Sequence, residues 1–142
     1  MENLETILNL SWEKRTCYKD SKKKWTCDKP YIGQCAVTAL VVNDLLGGDI
    51  MKVKVNGESH YYNVVDGDII DYTRKQYEDG LINYTDGKLA YRGRMLRDLD
   101  TKSRYYILLQ NVKYNMELYK EEKYSERETK IHELKLTDWV ED

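Results

Sequence analysis

Two short stretches contain the residues whose chemistry is most distinctive. Residues 33–38 read GQCAVT, with Cys35 between a glutamine and a run of helix formers, and residues 58–63 read ESHYYN, with His60 in a strand-like segment. A cysteine and a histidine brought together are the nucleophile and general base of thiol catalysis. The alternative is structural, because buried cysteines and hydrogen-bonded surface histidines are common in proteins without catalytic activity.

The pattern that follows Cys35 places it at the start of a helix. Residues 35–46, CAVTALVVNDLL, have hardly any polar face, which predicts a helix buried in the middle of a domain. Gly47 and Gly48 then supply the left-handed conformation that ends helices. A helix N-terminus favours a thiolate, because free N–H groups and the helix dipole stabilise negative charge there. The position of Cys35 therefore suits a nucleophile.

A β-hairpin supplies the partners of His60. Residues 66–67 are Asp-Gly, a preferred two-residue turn, so Val65 pairs with Asp68 and the pairing continues away from the turn as far as residues 60 and 73. Strand alternation then places four side chains on one face: His60, Tyr62, Asp71 and Thr73. Asp71 is the diagonal neighbour of His60, within reach of the imidazole. Asn63 points to the other face and is not assigned the orienting role.

These residues have predicted catalytic roles. His60 accepts the thiol proton and later protonates the leaving group, while Asp71 fixes the tautomer of the imidazole. Gln34 and the backbone N–H of Cys35 hold the oxyanion. Gln34 has two alternatives, which are to cap the helix or to face solvent. Thr73 and Tyr72 either line the substrate cleft or fill the strand.

The remaining elements describe one small domain. Residues 4, 7, 8 and 12 are apolar at helical spacing, and residues 15–31 read as a polar loop. DIMKVKV, ESHYYNVV and DIIDYT, joined by Asn-Gly and Asp-Gly turns, predict a three-stranded antiparallel meander. TRKQYED predicts a turn or short helix, and residues 100–112 a helix. Residues 113–142 are a charged extension, read as a strand, a helix or a partly ordered tail, with apolar Ile131, Leu134 and Leu136 near Trp139.

Composition narrows the partners and the location. The net charge of −2 gives no electrostatic reason to expect nucleic acid, and the SKKK run at 21–24 reads as a solvated loop. The acidic start and the lack of a long apolar segment predict a cytoplasmic protein without a membrane span. Three cysteines, at 17, 27 and 35, do not suggest a disulfide framework or a metal site, and Cys17, Cys27 and His132 read as structural or incidental. Neither a metal nor any other cofactor is expected.

The residues also carry a resemblance. The stretch from Trp12 to Tyr77, with GQCAVTALVV, GG, SHY, N, ID, T and Q, together with SRYYILLQNV, resembles the YunG-like family of small bacterial proteins. More loosely, cysteine on a helix followed by histidine on a strand and a polar partner on the next is similar to the papain-like group, which includes CHAP, NlpC/P60 and transglutaminase-type domains. GQC is similar to the start of the CHAP motif. That resemblance implies Cys35, His60 and Asp71 as nucleophile, base and orienting residue. CHAP and NlpC/P60 enzymes usually act on cell wall and are exported, whereas no export signal is visible here.

Together these observations predict an α+β protein with a papain-like or transglutaminase-like core, in which a central helix packs on an antiparallel sheet. Residues 1–112 form the core and 113–142 the charged extension. The predicted function is that of a cysteine hydrolase or acyl-transfer enzyme acting on a protein, peptide or small acyl substrate. The alternatives are a non-catalytic protein-interaction domain and a small-molecule binder beside an idle thiol. The sequence leaves the oligomeric state open.

Overall fold

The computed structural model describes residues 3–140, with burial and side-chain contacts for residues 3–134. Helices and strands follow one another as α1 Leu4–Ser11, α2 Cys35–Leu46, β1 Asp49–Val55, β2 Glu58–Val65, β3 Asp68–Ile70, β4 Lys88–Ala90, α3 Arg92–Met95 and α4 Leu99–Val140. Short 3-10 turns occupy Lys14–Thr16, Lys19–Ser21, Arg74–Gln76 and Tyr84–Asp86. The protein is therefore α+β, as the sequence predicts. No helix within residues 3–140 is long and apolar enough to cross a membrane.

The sheet has four antiparallel strands in the order β3-β2-β1-β4. The predicted meander of β1, β2 and β3 is confirmed, and so is the pairing of Val65 with Asp68. Both turns contain two residues at positive φ, 51° and 82° at Asn56 and Gly57 and 51° and 83° at Asp66 and Gly67, as a type I′ hairpin turn requires. The prediction omitted β4, which pairs with β1 and has only three residues.

The third strand is shorter than DIIDYT predicts. It ends at Ile70, so the ladder stops at the pair Asn63 and Ile70. The expected pairs of Tyr62 with Asp71 and of His60 with Thr73 are not formed. This prediction was wrong because the chain turns after Ile70 into the 3-10 turn Arg74–Gln76. That turn itself agrees with the prediction for TRKQYED.

The core lies between one face of the sheet and the helices. α2 is buried over most of its length, and it packs on β2, where Asn63 Nδ2 donates to Ala39 O at 3.0 Å. The apolar residues of α1 and the first turns of α4 complete this core. α2 ends as predicted, with Gly47 at φ 72°. The central helix on an antiparallel sheet is thus present, and it begins at Cys35.

The last helix extends far beyond the predicted residues 100–112. α4 continues to Val140, and Val112 is the last fully buried side chain among those described, which end at Leu134. From Lys120 to Leu134 every residue is exposed, so this part of the helix makes no core. As far as Val140 the extension is therefore helical rather than a strand or a tail, while the division at residue 112 stays a prediction. The side chains of Leu136 and Trp139 lie outside the described ones.

Candidate functional site

Cys35 is the first residue of α2, and its side chain is partly exposed to a cavity of about 580 Å³. The backbone N–H groups of Cys35 and Ala36 have no acceptor among the described residues, as expected in the first turn of a helix. Both residues line the cavity. The thiol therefore lies beside free backbone donors at the wall of an open space.

His60 is fully buried in β2 and bonded to Asp71. The distance between His60 Nε2 and Asp71 Oδ2 is 2.7 Å, and the two side chains are 0% and 3% exposed. Asp71 lies just after β3 rather than within it. The predicted contact between these side chains therefore forms although the ladder stops one residue earlier. Because Nε2 faces the carboxylate, Nδ1 is the ring nitrogen available to another group.

The carboxylate of Asp71 has further donors that the sequence did not indicate. Tyr84 Oη donates to Oδ2 at 2.7 Å, the same oxygen that binds His60. The backbone N–H and the hydroxyl of Thr73 donate to Oδ1 at 3.3 and 3.4 Å. A buried carboxylate is costly unless it is paired and hydrogen-bonded, and Asp71 has such partners on both oxygens. Thr73 thus supports the carboxylate, a role outside both the cleft and the strand.

The thiol and the ring interact although they belong to different faces of the sheet. Alternation along β2 places His60 opposite to Asn63, whose amide contacts α2. β3 pairs only with residues 63–65 of β2, so among the described strands none covers that edge of β2 beside His60. The side chain of Cys35, at the start of α2, is close enough to the ring to interact with it. Nδ1 makes no hydrogen bond of regular geometry with a described residue, so the contact between ring and thiol is a loose one.

The electrostatics of His60 reflect these neighbours. Burial opposes the charged form of the ring, but the hydrogen bond to Asp71 and the interactions with the Cys35 thiol outweigh it and raise the pKa of His60 to about 9. His60 is thus a stronger base than an ordinary histidine. Its proton is retained at neutral pH as long as the thiol and the carboxylate stay beside it.

Two tyrosines pack against the imidazole. The rings of Tyr77 and His60 are edge to face, with centroids 5.2 Å apart, and Tyr62 lies at 6.3 Å on the same strand. Burial, the Cys35 thiol and nearby carboxylates raise the pKa of Tyr77 to about 12. Tyr77 also lines the cavity, so its side chain contacts the buried imidazole and is part of the cavity wall.

Gln34 occupies neither of its two alternative positions. Its side chain is fully buried, so it does not face solvent, and it makes no capping hydrogen bond to α2. Nε2 donates to Glu13 O at 3.1 Å, and Oε1 has no partner among the described residues. The amide therefore fastens the start of α2 to the segment after α1. Its assignment to the oxyanion stays a prediction.

Gln76 is a second residue whose role the sequence did not indicate. Its Oε1 accepts from the N–H of Gly33 at 2.9 Å, and its Nε2 donates to Thr73 O at 3.2 Å. A glutamine in a polar loop gives no signal of such contacts. One partner, Gly33, is a backbone group 43 residues away, and the other, Thr73, is a backbone group of the same turn. Gln76 lines the cavity together with Cys35.

The other sequence candidates lie apart from this arrangement. Cys17 is buried, Cys27 is exposed, and neither is in a disulfide bond. Burial raises the pKa of the Cys17 thiol above its ordinary value. His132 is exposed on α4. Within the part of the chain that the structure describes, no group of three or more His, Cys, Asp and Glu side chains is placed to hold a metal ion.

Comparison with known proteins gives a family. The family model described as YunG protein matches residues 1–117. The protein named "Uncharacterized protein YunG" of Bacillus subtilis (strain 168) is 41% identical over 78 residues, which are 55% of this chain and 64% of that relative. No solved structure matches the chain. The family match ends five residues after Val112, close to where α4 leaves the core, and it shows that this chain belongs to the YunG protein family.

Proposed function

We propose that this protein is a cysteine hydrolase or acyl-transfer enzyme that acts on an amide, isopeptide or thioester bond through a covalent acyl-enzyme. One observation carries the proposal. His60 is fully buried, is bonded through Nε2 to Asp71, and has an unpartnered Nδ1 with the Cys35 thiol beside it. A buried base with one nitrogen oriented by a carboxylate and the other free for a thiol is the arrangement that thiol catalysis needs.

The reaction begins from the state in which His60 Nδ1 already holds the proton of the Cys35 thiol. The sulfur then attacks the substrate carbonyl carbon, and the π electrons of the carbonyl move to its oxygen. Collapse of this tetrahedral species breaks the bond to the leaving nitrogen or sulfur, which takes the proton from the imidazolium. Water or an amine then attacks the carbonyl carbon of the thioester and loses a proton to His60. The bond to sulfur breaks, and the sulfur of Cys35 takes that proton from His60.

The oxyanion formed in this step has donors within the site. The N–H groups of Cys35 and Ala36 have no acceptor among the described residues, and both residues line the cavity, which supports these N–H groups as the donors. Gln34 has committed one amide proton to Glu13 O, so it contributes through the second proton or by holding the start of α2. The order of elements, with the nucleophile opening the central helix and the base on the sheet, supports the similarity to papain-like enzymes as part of the proposal.

The cavity beside the thiol supports a polar substrate of peptide size. It is lined by four tyrosines, Tyr18, Tyr61, Tyr77 and Tyr91, and by charged side chains of both signs such as Lys52, Glu58 and Arg94. Its volume of about 580 Å³ is within the range of small-molecule sites. An aliphatic acyl chain would find few apolar side chains there. We therefore favour a peptide or a charged acyl group, acted on in the cytoplasm, where free thiols stay reduced.

Alkylation of Cys35 by iodoacetamide tests the proposal. In the wild-type protein we expect rapid labelling at about pH 6 that is lost in His60→Ala, because only a base beside the sulfur keeps a thiolate there. His132→Ala is the matched control, and exposed Cys27 is a reference thiol in the same sample, resolved by peptide mass spectrometry. If Cys35 reacts no faster than Cys27 and without dependence on His60, the binding alternatives replace the enzyme. Mass spectrometry of the adduct formed with an acyl electrophile then identifies the group that Cys35 accepts.

A further inference from the structure

The side chain of Gln76 connects two segments that are distant in sequence. Its carbonyl oxygen accepts from the N–H of Gly33 at 2.9 Å, and its amide nitrogen donates to Thr73 O at 3.2 Å. Gln76 is partly buried at the wall of the cavity. A single side chain thus joins the loop before α2 to the turn after β3.

Each end of this connection leads directly to one half of the proposed site. Gly33 lies two residues before Cys35, and its own carbonyl accepts from Tyr18 N at 2.8 Å. Gly33 has a φ of +72°, and a Cβ there would lie 2.5 Å from Cys17 Sγ, so this loop has little freedom. At the other end, Thr73 donates twice to Oδ1 of Asp71.

Such a connection matters because the thiol and the base belong to different elements. Cys35 opens α2, while Asp71 follows β3 and orients His60 from the loop. The cavity lies beside both segments, so packing on that side does not fix their separation. A displacement of about 1 Å between reacting groups costs on the order of a hundredfold in rate.

We propose that Gln76 is a positioning residue, which holds the Cys35 segment against the turn that carries Asp71 and so keeps the thiol within reach of the imidazole. This inference rests on the proposed function, since it assigns Gln76 a role in that same site. Gln76 acts through Gly33 and Thr73 and takes no part in the bond changes.

The test compares the alkylation rate of Cys35 at about pH 6 with that at about pH 10 in the full chain. At the higher pH hydroxide ionises the thiol without help, whereas at the lower pH the thiolate depends on His60. Gln76→Met removes both hydrogen bonds and keeps the volume of the side chain. Lys75→Ala, in the same turn and exposed, is the matched control. The titratable groups that interact with His60, Cys35 or Asp71 are Tyr61, Tyr62, Tyr77 and Tyr84, and Glu58 and Arg74 interact in turn with Tyr77 and Tyr84.

We expect the alkylation rate at about pH 6 divided by the rate at about pH 10 to fall by about fivefold or more in Gln76→Met. In Lys75→Ala this ratio should stay at the wild-type value. Gln76→Glu keeps an acceptor for Gly33 and is expected to recover part of the ratio; it also replaces Gln76→Met if circular dichroism shows the latter unfolded. A purely structural role would change both rates alike and leave the ratio unchanged, which overturns the inference. The proposed function fails by a different result, which is that Cys35 is alkylated at about pH 6 equally fast in the wild-type protein and in His60→Ala. The two failures are therefore distinguishable.

Discussion

His60 Nε2 lies 2.7 Å from Asp71 Oδ2, and the two side chains are almost completely excluded from solvent. Each charge of such a pair has lost its hydration, so removing one partner leaves the other as a buried charge without compensation. The ring is therefore protonated at neutral pH, and the carboxylate and the thiol stabilise this charged form. The pKa of His60 and the reactivity of Cys35 can therefore be measured without knowledge of the substrate.

The first prediction concerns the charge of Asp71. Asp71→Asn keeps the shape of the side chain and removes the charge, so burial becomes dominant and the pKa of His60 falls from its raised value. We expect the alkylation of Cys35 at about pH 6 to slow by about tenfold or more, since one pKa unit is tenfold. Asp68→Asn, exposed on the same hairpin, is the control. An unchanged rate in Asp71→Asn would show that the carboxylate does not orient the base.

Stability has a predicted pH dependence with a definite sign. The folded-state pKa of His60, about 9, lies above its ordinary value of 6.5, so the stabilisation is fully present below about pH 6.5 and is lost as the pH rises through about 9. The shift corresponds to an upper limit of about 3 kcal/mol in the free energy of unfolding. Urea unfolding at a series of pH values measures it.

Cys35→Ala isolates the part of this dependence that the thiol contributes. The thiol is one of the groups that raise the pKa of His60, so its removal lowers that pKa and reduces the loss of stability between about pH 6.5 and 9. Cys27→Ala, at an exposed position, should retain the wild-type dependence. Identical curves for wild type and Cys35→Ala would contradict a contact between the thiol and the ring.

The contact of His60 with Asp71 is the part of the site that the sequence predicted best. Local signals sufficed, because the Asp-Gly turn at 66–67 fixes the register and alternation fixes the face. The helix that starts at Cys35 followed from its apolar run, and its end followed from Gly47. Even the early end of β3 did not remove the contact, since a diagonal neighbour needs no ladder hydrogen bond.

The supporting residues could not be predicted in this way. Tyr84 and Gln76 reach their partners from loops whose course is set by the whole fold, and the sequence around them has no period. Gln34 was assigned to the oxyanion, but the direction of its side chain depends on a hydrogen bond to Glu13 O, a group 21 residues away. β4 has three residues, which are too few for an alternation pattern to appear. Contacts between distant loops therefore limited the prediction.

Tyr84 should tune the base without touching it. Its hydroxyl shares Oδ2 of Asp71 with His60, and burial together with this hydrogen bond raises the pKa of Tyr84, so it remains a donor. In Tyr84→Phe the carboxylate loses a competing donor and binds the imidazolium more strongly. We expect the pKa of His60 to rise by about half a unit to one unit, measured by NMR titration of the ring.

The matched control for this substitution is Tyr62→Phe. Tyr62 packs on Tyr84 with ring centroids 4.9 Å apart, and its hydroxyl donates weakly to Tyr84 O at 3.4 Å rather than to the carboxylate. It should change the stability slightly and leave the titration of His60 in place. A lower His60 pKa in Tyr84→Phe would mean that the hydroxyl mainly holds the carboxylate in position.

The exposed part of α4, from Lys120 to Leu134, should be dispensable for the fold and for the site. Every residue from Lys120 to Leu134 is exposed, and the surface ion pairs there, such as Lys123 with Glu126, contribute little. Ending the chain after Lys120 should change the free energy of unfolding by less than about 0.5 kcal/mol and leave the alkylation of Cys35 unaltered. Ending it after Gln110 removes Val112, which is 0% exposed, and should cost several times more. A large loss of stability in the chain that ends after Lys120 would show that the exposed part of the helix packs on the domain in solution.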